Sequence, residues 1–320
     1  MGSVIDRGEF IRSDMTSKAM GGTELLAHRL IDNVDKSILN KFQIHQSRVT
    51  SESVNTQGLK QILWVHDLAE DPAVAHLQND GWKKYDLIVF VSHWQQEQYK
   101  IFLGVPYSIG AVIPNAITPI EDHEKPEDDI IRLVYTSTPH RGLNILYPIF
   151  EALSDHHNIE LDVYSSFNLY GWGDRDIPYE PLFQKLKDHP KIRYHGSQSN
   201  DVVREALKKS DIFAYPSIWK ETSCLCLIEA MSANLVCVHS SLGALPETSM
   251  GTTMMYEFTE DLNDHARRFG QYLTSAIGNV EHSRNDVRRS LNYHKPVIDN
   301  RYDVNKFGKK WEITLKGLLT

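Results

Sequence analysis

The sequence predicts an α/β protein of two lobes, each a parallel sheet wrapped by helices. Three observations carry this. Short apolar, β-branched runs alternate with amphipathic helical stretches along the chain. The runs are apolar throughout, as strands buried on both faces are. The alternation breaks once, at Thr118–Asp129 (TPIEDHEKPEDD), where two prolines and an acidic run suit a surface linker better than a strand or helix. At 320 residues the chain has room for two lobes, residues 1–117 and 118–303, with a C-terminal helix over 304–320.

In order, the first lobe offers strands at Phe42–His45, Ile62–His66, Leu87–Ser92 and Gly110–Pro114, and a helix at Glu24–Ile38. Before Gly21 the chain shows little strand character. Only Ser3-Val4-Ile5 is apolar enough for a strand, and a polar stretch of about fifteen residues follows. The second lobe offers strands at Ile131–Ser137, Ile159–Tyr164, Lys191–His195, Ile212–Tyr215, Leu235–His239 and Thr253–Tyr256. Its helical patterns are Asn144–Leu153, Val202–Lys208 and Cys224–Ala233. Strand–helix alternation of this kind makes right-handed parallel crossovers. The last amphipathic stretch, Val304–Leu318, carries Phe307, Trp311, Ile313, Leu315 and Leu318. It either finishes the second lobe or packs back on the first.

Hydrophobic residues at 41% and charged residues at 24% fit a folded enzyme rather than a disordered chain. A net charge of −8 without a basic stripe disfavours nucleic acid as a partner. No apolar run is long enough to span a membrane, and the first twenty residues lack the apolar centre of a secretory signal. A cytoplasmic location is expected, and peripheral contact with a membrane stays open. Cys224, Cys226 and Cys237 are too few for a disulfide framework and read as buried free thiols.

Chemistry concentrates at strand ends. After Ile212–Tyr215 the chain runs Pro216-Ser217-Ile218-Trp219-Lys220-Glu221-Thr222-Ser223-Cys224-Leu225, and a helix is expected to begin near Ser223. Ligands of open α/β sheets sit at the carboxyl ends of strands. The N–H groups at Ser223, Cys224 and Leu225 would suit a diphosphate there. Glu221 before this helix and Glu229 about two turns into it would lie about 10 Å apart along the axis, able to grip two ends of an extended ligand. Equally, Glu221 caps the helix and Glu229 is a surface residue. A second strand end, Tyr135-Thr136-Ser137-Thr138-Pro139-His140-Arg141-Gly142, aims Arg141 at whatever occupies the strand ends, and guanidinium suits phosphate. In the first lobe, Met20-Gly21-Gly22-Thr23-Glu24 opens a helix, and Ile62–His66 ends in His66-Asp67, where Asp67 could orient the histidine.

These segments resemble the retaining glycosyltransferase family 4 (glycosyltransferase group 1), whose fold is GT-B: two Rossmann-like lobes with a cleft between them. Glu221 and Glu229, with seven residues between them and Ala230-Met231 following, match its signature. The resemblance implies that Glu221 contacts the transferred sugar and Glu229 the ribose hydroxyls. It implies that Arg141, with Ser137 and the helix N-terminus, neutralises the diphosphate. His66 would contact the sugar near its anomeric carbon, and the backbone at Gly22 would approach the donor. The chain departs from the pattern in three places. Asn234 replaces the usual Gly after the helix, Ala116 replaces Gly in Pro114-Asn115-Ala116-Ile117, and no Lys or Arg precedes Arg141 within the turn.

The expected function is therefore transfer of a sugar from a UDP- or GDP-sugar to an acceptor hydroxyl, with retention. Glu221, His66 and Arg141 would be catalytic; Gly22, Ser137, Arg141, Ser223, Cys224, Leu225 and Glu229 would bind the donor. Neither metal nor another cofactor is expected, although Asp174-Arg175-Asp176 reads as the metal-binding triplet of another glycosyltransferase fold. It lies in a Gly-, Trp- and Pro-containing loop and is read as shaping the acceptor or base site. The rival readings are a GT-B sugar-nucleotide epimerase and a non-catalytic sugar-nucleotide-binding protein.

Overall fold

The computed structural model describes residues 3–12, 21–49 and 56–320. Contacts divide the chain into two units, Met1–Thr118 with Tyr302–Thr320, and Pro119–Arg301.

The first unit holds a six-stranded sheet. Its strands are β1 (Ser3–Asp6), β2 (Glu9–Arg12), β3 (Phe42–Gln46), β4 (Lys60–Trp64), β5 (Leu87–Phe90) and β6 (Gly110–Val112), in the order β2-β1-β3-β4-β5-β6. From β3 to β6 the pairing is parallel, and β5 is wholly buried, as its unbroken apolar run Leu-Ile-Val-Phe requires. The edge differs from expectation. Ser3-Val4-Ile5 is a strand, but it turns back through Arg7-Gly8 as a hairpin, and β1 runs antiparallel to β3. Both turn residues have positive φ (51° and 78°), the primed geometry whose twist matches that of the flanking strands. The polar stretch at 13–20, with Met20 of the glycine turn, lies outside the described residues.

Helix α1 (Gly22–Asn33) stops short of the expected Ile38. Asp35 accepts a bond from the Ser37 amide at 2.7 Å, capping a new turn, α2 (Lys36–Leu39). Helix α3 (His93–Leu103) starts at a Ser92 cap and ends at Gly104. The C-terminal helix belongs to this unit: Ile117 and Asp303 form a β-bridge, and the Ile117 amide donates to the Tyr302 carbonyl at 2.8 Å. Trp311 is fully buried, 5.0 Å from the Trp64 ring, and is a core residue of this unit. A Cβ on Gly308 would stand 2.3 Å from the Asn33 carbonyl, which explains a glycine where this helix crosses α1.

The second unit holds β7 (Ile131–Tyr135), β8 (Ile159–Val163), β9 (Ile192–Tyr194), β10 (Ile212–Tyr215), β11 (Val236–Ser240) and β12 (Met254–Tyr256), all parallel, in the order β12-β11-β10-β7-β8-β9. Crossovers pass through α4 (Leu143–Ser154), α5 (Glu180–Asp188), α6 (Asn200–Lys209), α7 (Leu225–Ser232) and α8 (Leu245–Ser249). A long helical element, α9 (Leu262–Tyr302), is broken at Ser283, and α10 (Val304–Gly317) follows it in the first unit. The strand order reverses between β7 and β10, so the loops leaving these two neighbours diverge and open a crevice at their carboxyl ends. Residues 118–130 form no regular element, yet they are laced down: Ile120 donates its amide to Ser232 at 2.9 Å, and Arg288 donates to the Pro126 carbonyl at 3.0 Å.

Candidate functional site

The crevice is assembled by two backbone approaches that only glycine allows. After β7 the chain turns through Pro139–Arg141 into Gly142, whose φ is +115° and whose Cβ, if present, would stand 2.1 Å from the Pro216 carbonyl. This seats the β7 turn directly on the loop after β10. On the other side, Glu221 is bridged to Gly243, where a Cβ would fall 2.6 Å from the Glu221 carbonyl, and the Ala244 amide donates to that carbonyl at 2.7 Å.

Between these approaches Arg141 meets Glu221. The guanidinium Nη1 donates to Glu221 Oε1 at 2.6 Å, and the Tyr215 hydroxyl donates to the same oxygen at 2.5 Å. Glu221 is only 4% exposed. Burial raises the Tyr215 pKa far above its ordinary value, and the Glu221 charge adds to this, so the phenol stays a donor. Burial works against the Arg141 charge, but the neighbouring carboxylate outweighs it and holds the guanidinium protonated. Arg141 Nε, Thr136 Oγ1 and Thr138 Oγ1 are buried and carry no hydrogen bond among the described residues. Three polar atoms without protein partners at one strand end suit an anionic ligand. Ser137 is half-buried in the same loop.

The helix after β10 starts later than expected, at Leu225, with Cys224 as its cap residue and no side-chain cap bond. Ser223 is thus one residue ahead of the cap. Thr222–Cys224 keep extended or bent backbone because the strand-like Glu221–Gly243 bridge holds the chain until there. Glu229 accordingly lies just over one turn into α7 rather than two, and it is buried, not a solvated surface residue. Asn200 Nδ2 donates to its two oxygens at 3.2 and 3.1 Å, and Arg204 Nη1 donates to Oε1 at 3.3 Å.

The cysteines are free thiols, Cys224 and Cys237 buried and Cys226 half-buried. Cys226 donates to the Thr136 carbonyl at 2.8 Å, tying α7 to the β7 turn. Asp176 of the Asp174-Arg175-Asp176 triplet accepts from the Ser166 hydroxyl at 2.5 Å and the Phe167 amide at 2.8 Å, so it braces its own loop. His140 stacks on Phe167 at 5.1 Å, and burial, helped by Arg141 and Arg175, lowers its pKa to about 4.

In the first unit, Gly22 begins α1, whose cap residue is Gly21, and Glu24 is buried in its first turn. His66 packs 4.8 Å from the Trp64 ring, and burial lowers its pKa to about 3, so the imidazole is neutral at pH 7. The Asp67 carboxylate lies 3.7 Å from Arg48 Nε, and its backbone carbonyl accepts from Gln95 at 2.9 Å.

Tyr215, Asn200, Arg204, Thr136 and Thr138 were not read from the sequence as site residues. The repeated hydroxyls of Thr136-Ser137-Thr138 and the i, i+4 spacing of Asn200 and Arg204 on α6 are the signals that could have found them.

Residues 132–274 match the family model described as Glycosyl transferases group 1. A phosphatidylinositol N-acetylglucosaminyltransferase GPI3 subunit of Saccharomyces cerevisiae is 23% identical over 229 residues, covering 66% of this chain and 49% of the yeast protein. A human phosphatidylinositol N-acetylglucosaminyltransferase chain is 27% identical over 164 residues, covering 50% of this chain and 33% of the human protein. The chain spans about half the length of the yeast relative. Among solved structures, a glycosyltransferase from Rickettsia africae aligns with TM-score 0.70 at 14% identity, over 97% of this chain and 85% of that one. Anabaena HepE in complex with UDP-glucose aligns with TM-score 0.61 at 14% identity, over 81% and 72%. The match to the family model thus falls within the second unit, and the chain has the GT-B fold.

Proposed function

We propose that the chain moves a sugar from a UDP-sugar to an acceptor hydroxyl with retained anomeric configuration. The observation that carries this is the pairing of Arg141 and Tyr215 on one oxygen of buried Glu221, beside a helix N-terminus without a side-chain cap. Arg141 Nε, the Thr136 and Thr138 hydroxyls, Ser137 and the amides leading into α7 take the departing diphosphate. Glu221 orients a hydroxyl of the transferred sugar, and Glu229 the ribose. His66 and Gly22 are proposals of the same kind for the first unit: a neutral imidazole for a sugar hydroxyl, and the amides opening α1. Glu221 is already bonded to a cation and a phenol, which makes it a poor nucleophile. A same-face displacement follows, in which the acceptor oxygen bonds to the anomeric carbon as the carbon–diphosphate bond breaks, and the acceptor proton leaves to the diphosphate.

UDP is preferred over GDP because HepE was solved with UDP-glucose and the sequence relatives are named as N-acetylglucosaminyltransferase subunits. The test is release of nucleoside diphosphate from UDP-glucose, UDP-N-acetylglucosamine and a GDP-sugar control, separated by ion-exchange chromatography. Sustained UDP release supports the reading. Tight UDP binding with no release from any donor would make the chain a binding module.

A further inference from the structure

We propose that Cys226 is a peroxide-reactive thiol with Cys224 as its resolving partner, so that oxidation closes a Cys224–Cys226 disulfide across the start of α7. The two side chains already touch: the Cys224 thiol donates a hydrogen bond to the Cys226 sulfur. Sulfurs in contact, on residues two apart in the chain, need little backbone movement to be joined. Their exposure differs, because Cys226 is half-buried while Cys224 is only 3% exposed, so an oxidant meets Cys226 first. Cys224 is the cap residue of α7 and Cys226 its second helical residue. The partial positive charge at a helix start favours a thiolate there.

The surroundings divide the pair in the same sense. The bond from Cys224 lowers the Cys226 pKa below a thiol's ordinary value, against burial and the Glu229 charge, and Arg141 helps. That same bond, with burial, holds Cys224 well above it. Burial also pushes up Cys237 on β11, which makes it an inert internal control.

The Cys226 thiolate attacks one oxygen of hydrogen peroxide, the O–O bond breaks, and the departing hydroxide takes a proton to become water. Cys226 is then a sulfenic acid. The Cys224 sulfur, giving up its proton, attacks the Cys226 sulfur, and the S–O bond breaks as hydroxide leaves with that proton as water. The two thiols lose two electrons to one peroxide, and a dithiol returns them. The disulfide also removes the proton that Cys226 donates to the Thr136 carbonyl at 2.8 Å, freeing the β7 turn from α7. Weaker UDP binding follows, and this consequence, unlike the disulfide, rests on the reading of the crevice as the donor site.

The experiment exposes the reduced full chain to hydrogen peroxide and counts free thiols by alkylation and mass spectrometry, before and after dithiothreitol. The count should fall from three to one and return with dithiothreitol, and fragmentation should place the one alkylated residue at Cys237. Cys226→Ser should keep its remaining thiols through the same treatment, and Cys224→Ser should stop at a Cys226 sulfenic acid that dimedone traps. Should either variant fold poorly, the map of the unaltered chain decides alone. Retention of all three thiols, or oxidation at Cys237 first, would overturn the proposal. In calorimetric titration the oxidised chain should bind UDP about tenfold or more weakly, with dithiothreitol restoring it. Equal UDP affinity in both forms would overturn the link between the disulfide and the crevice. Failure of the reduced chain to bind UDP would overturn the donor reading, while the thiol count still judges the disulfide.

Discussion

Arg141 and Glu221 are 80 residues apart in sequence and meet at 2.6 Å, because they leave the carboxyl ends of neighbouring strands β7 and β10. The pair is mostly buried, with the carboxylate 5% and the guanidinium 23% exposed. Taking one partner away strands the other's charge, whereas replacing both removes the problem.

Arg141→Met and Glu221→Leu should therefore each lower unfolding free energy by about 3 kcal/mol. The double variant Arg141→Met/Glu221→Leu should lose clearly less than the sum, by more than about 1 kcal/mol. Urea unfolding of the four proteins measures this. Additive losses would mean that the two charges do not interact.

Acid should weaken the fold earlier than carboxylate chemistry alone would. Burial lowers the pKa of His66 to about 3, and of His140 and His239 to about 4. The unfolded chain binds protons at these histidines from about pH 6.5 downward while the folded chain does not. Their contribution is complete above pH 6.5 and declines as pH falls toward 4. Urea midpoints should drop between pH 7.5 and 5, and His239→Gln should flatten that slope. A midpoint independent of pH over this range would refute the assignment.

Much of this architecture could be read from residues. Strands buried on both faces leave continuous apolar runs, so Ile212–Tyr215 stood out with its ends where the structure has them. The β1–β2 hairpin did not, because its turn places Arg7 at a positive φ that arginine rarely adopts and no Asn-Gly marks it. Glu221, Glu229 and Arg141 were legible as charged residues at strand and helix ends. Their partners were not, since Tyr215 looks like one more apolar strand residue, and Asn200 and Arg204 reach Glu229 across helices that no sequence period connects.

Donor binding should not depend on a divalent ion. Arg141 and the amides before α7 supply positive potential at the proposed diphosphate position, and Asp176 is committed to Ser166 and Phe167. UDP affinity and turnover should change by less than about twofold when EDTA is added, far below the tenfold that 1.4 kcal/mol represents. A large loss reversed by Mn²⁺ or Mg²⁺ would return Asp174 and Asp176 to consideration as ligands.

The central claim is that Glu221 serves the reaction and Glu229 serves nucleotide binding. It is tested most directly by measuring UDP affinity and donor turnover side by side on Glu221→Ala and Glu229→Ala, each first shown to be folded by thermal unfolding. The account predicts that Glu229→Ala weakens UDP binding by about tenfold or more, the worth of a charge-assisted hydrogen bond. Glu221→Ala should keep UDP affinity within about threefold while turnover falls by about a hundredfold or more. The same loss in both quantities for both variants, or unchanged turnover in Glu221→Ala, would contradict it.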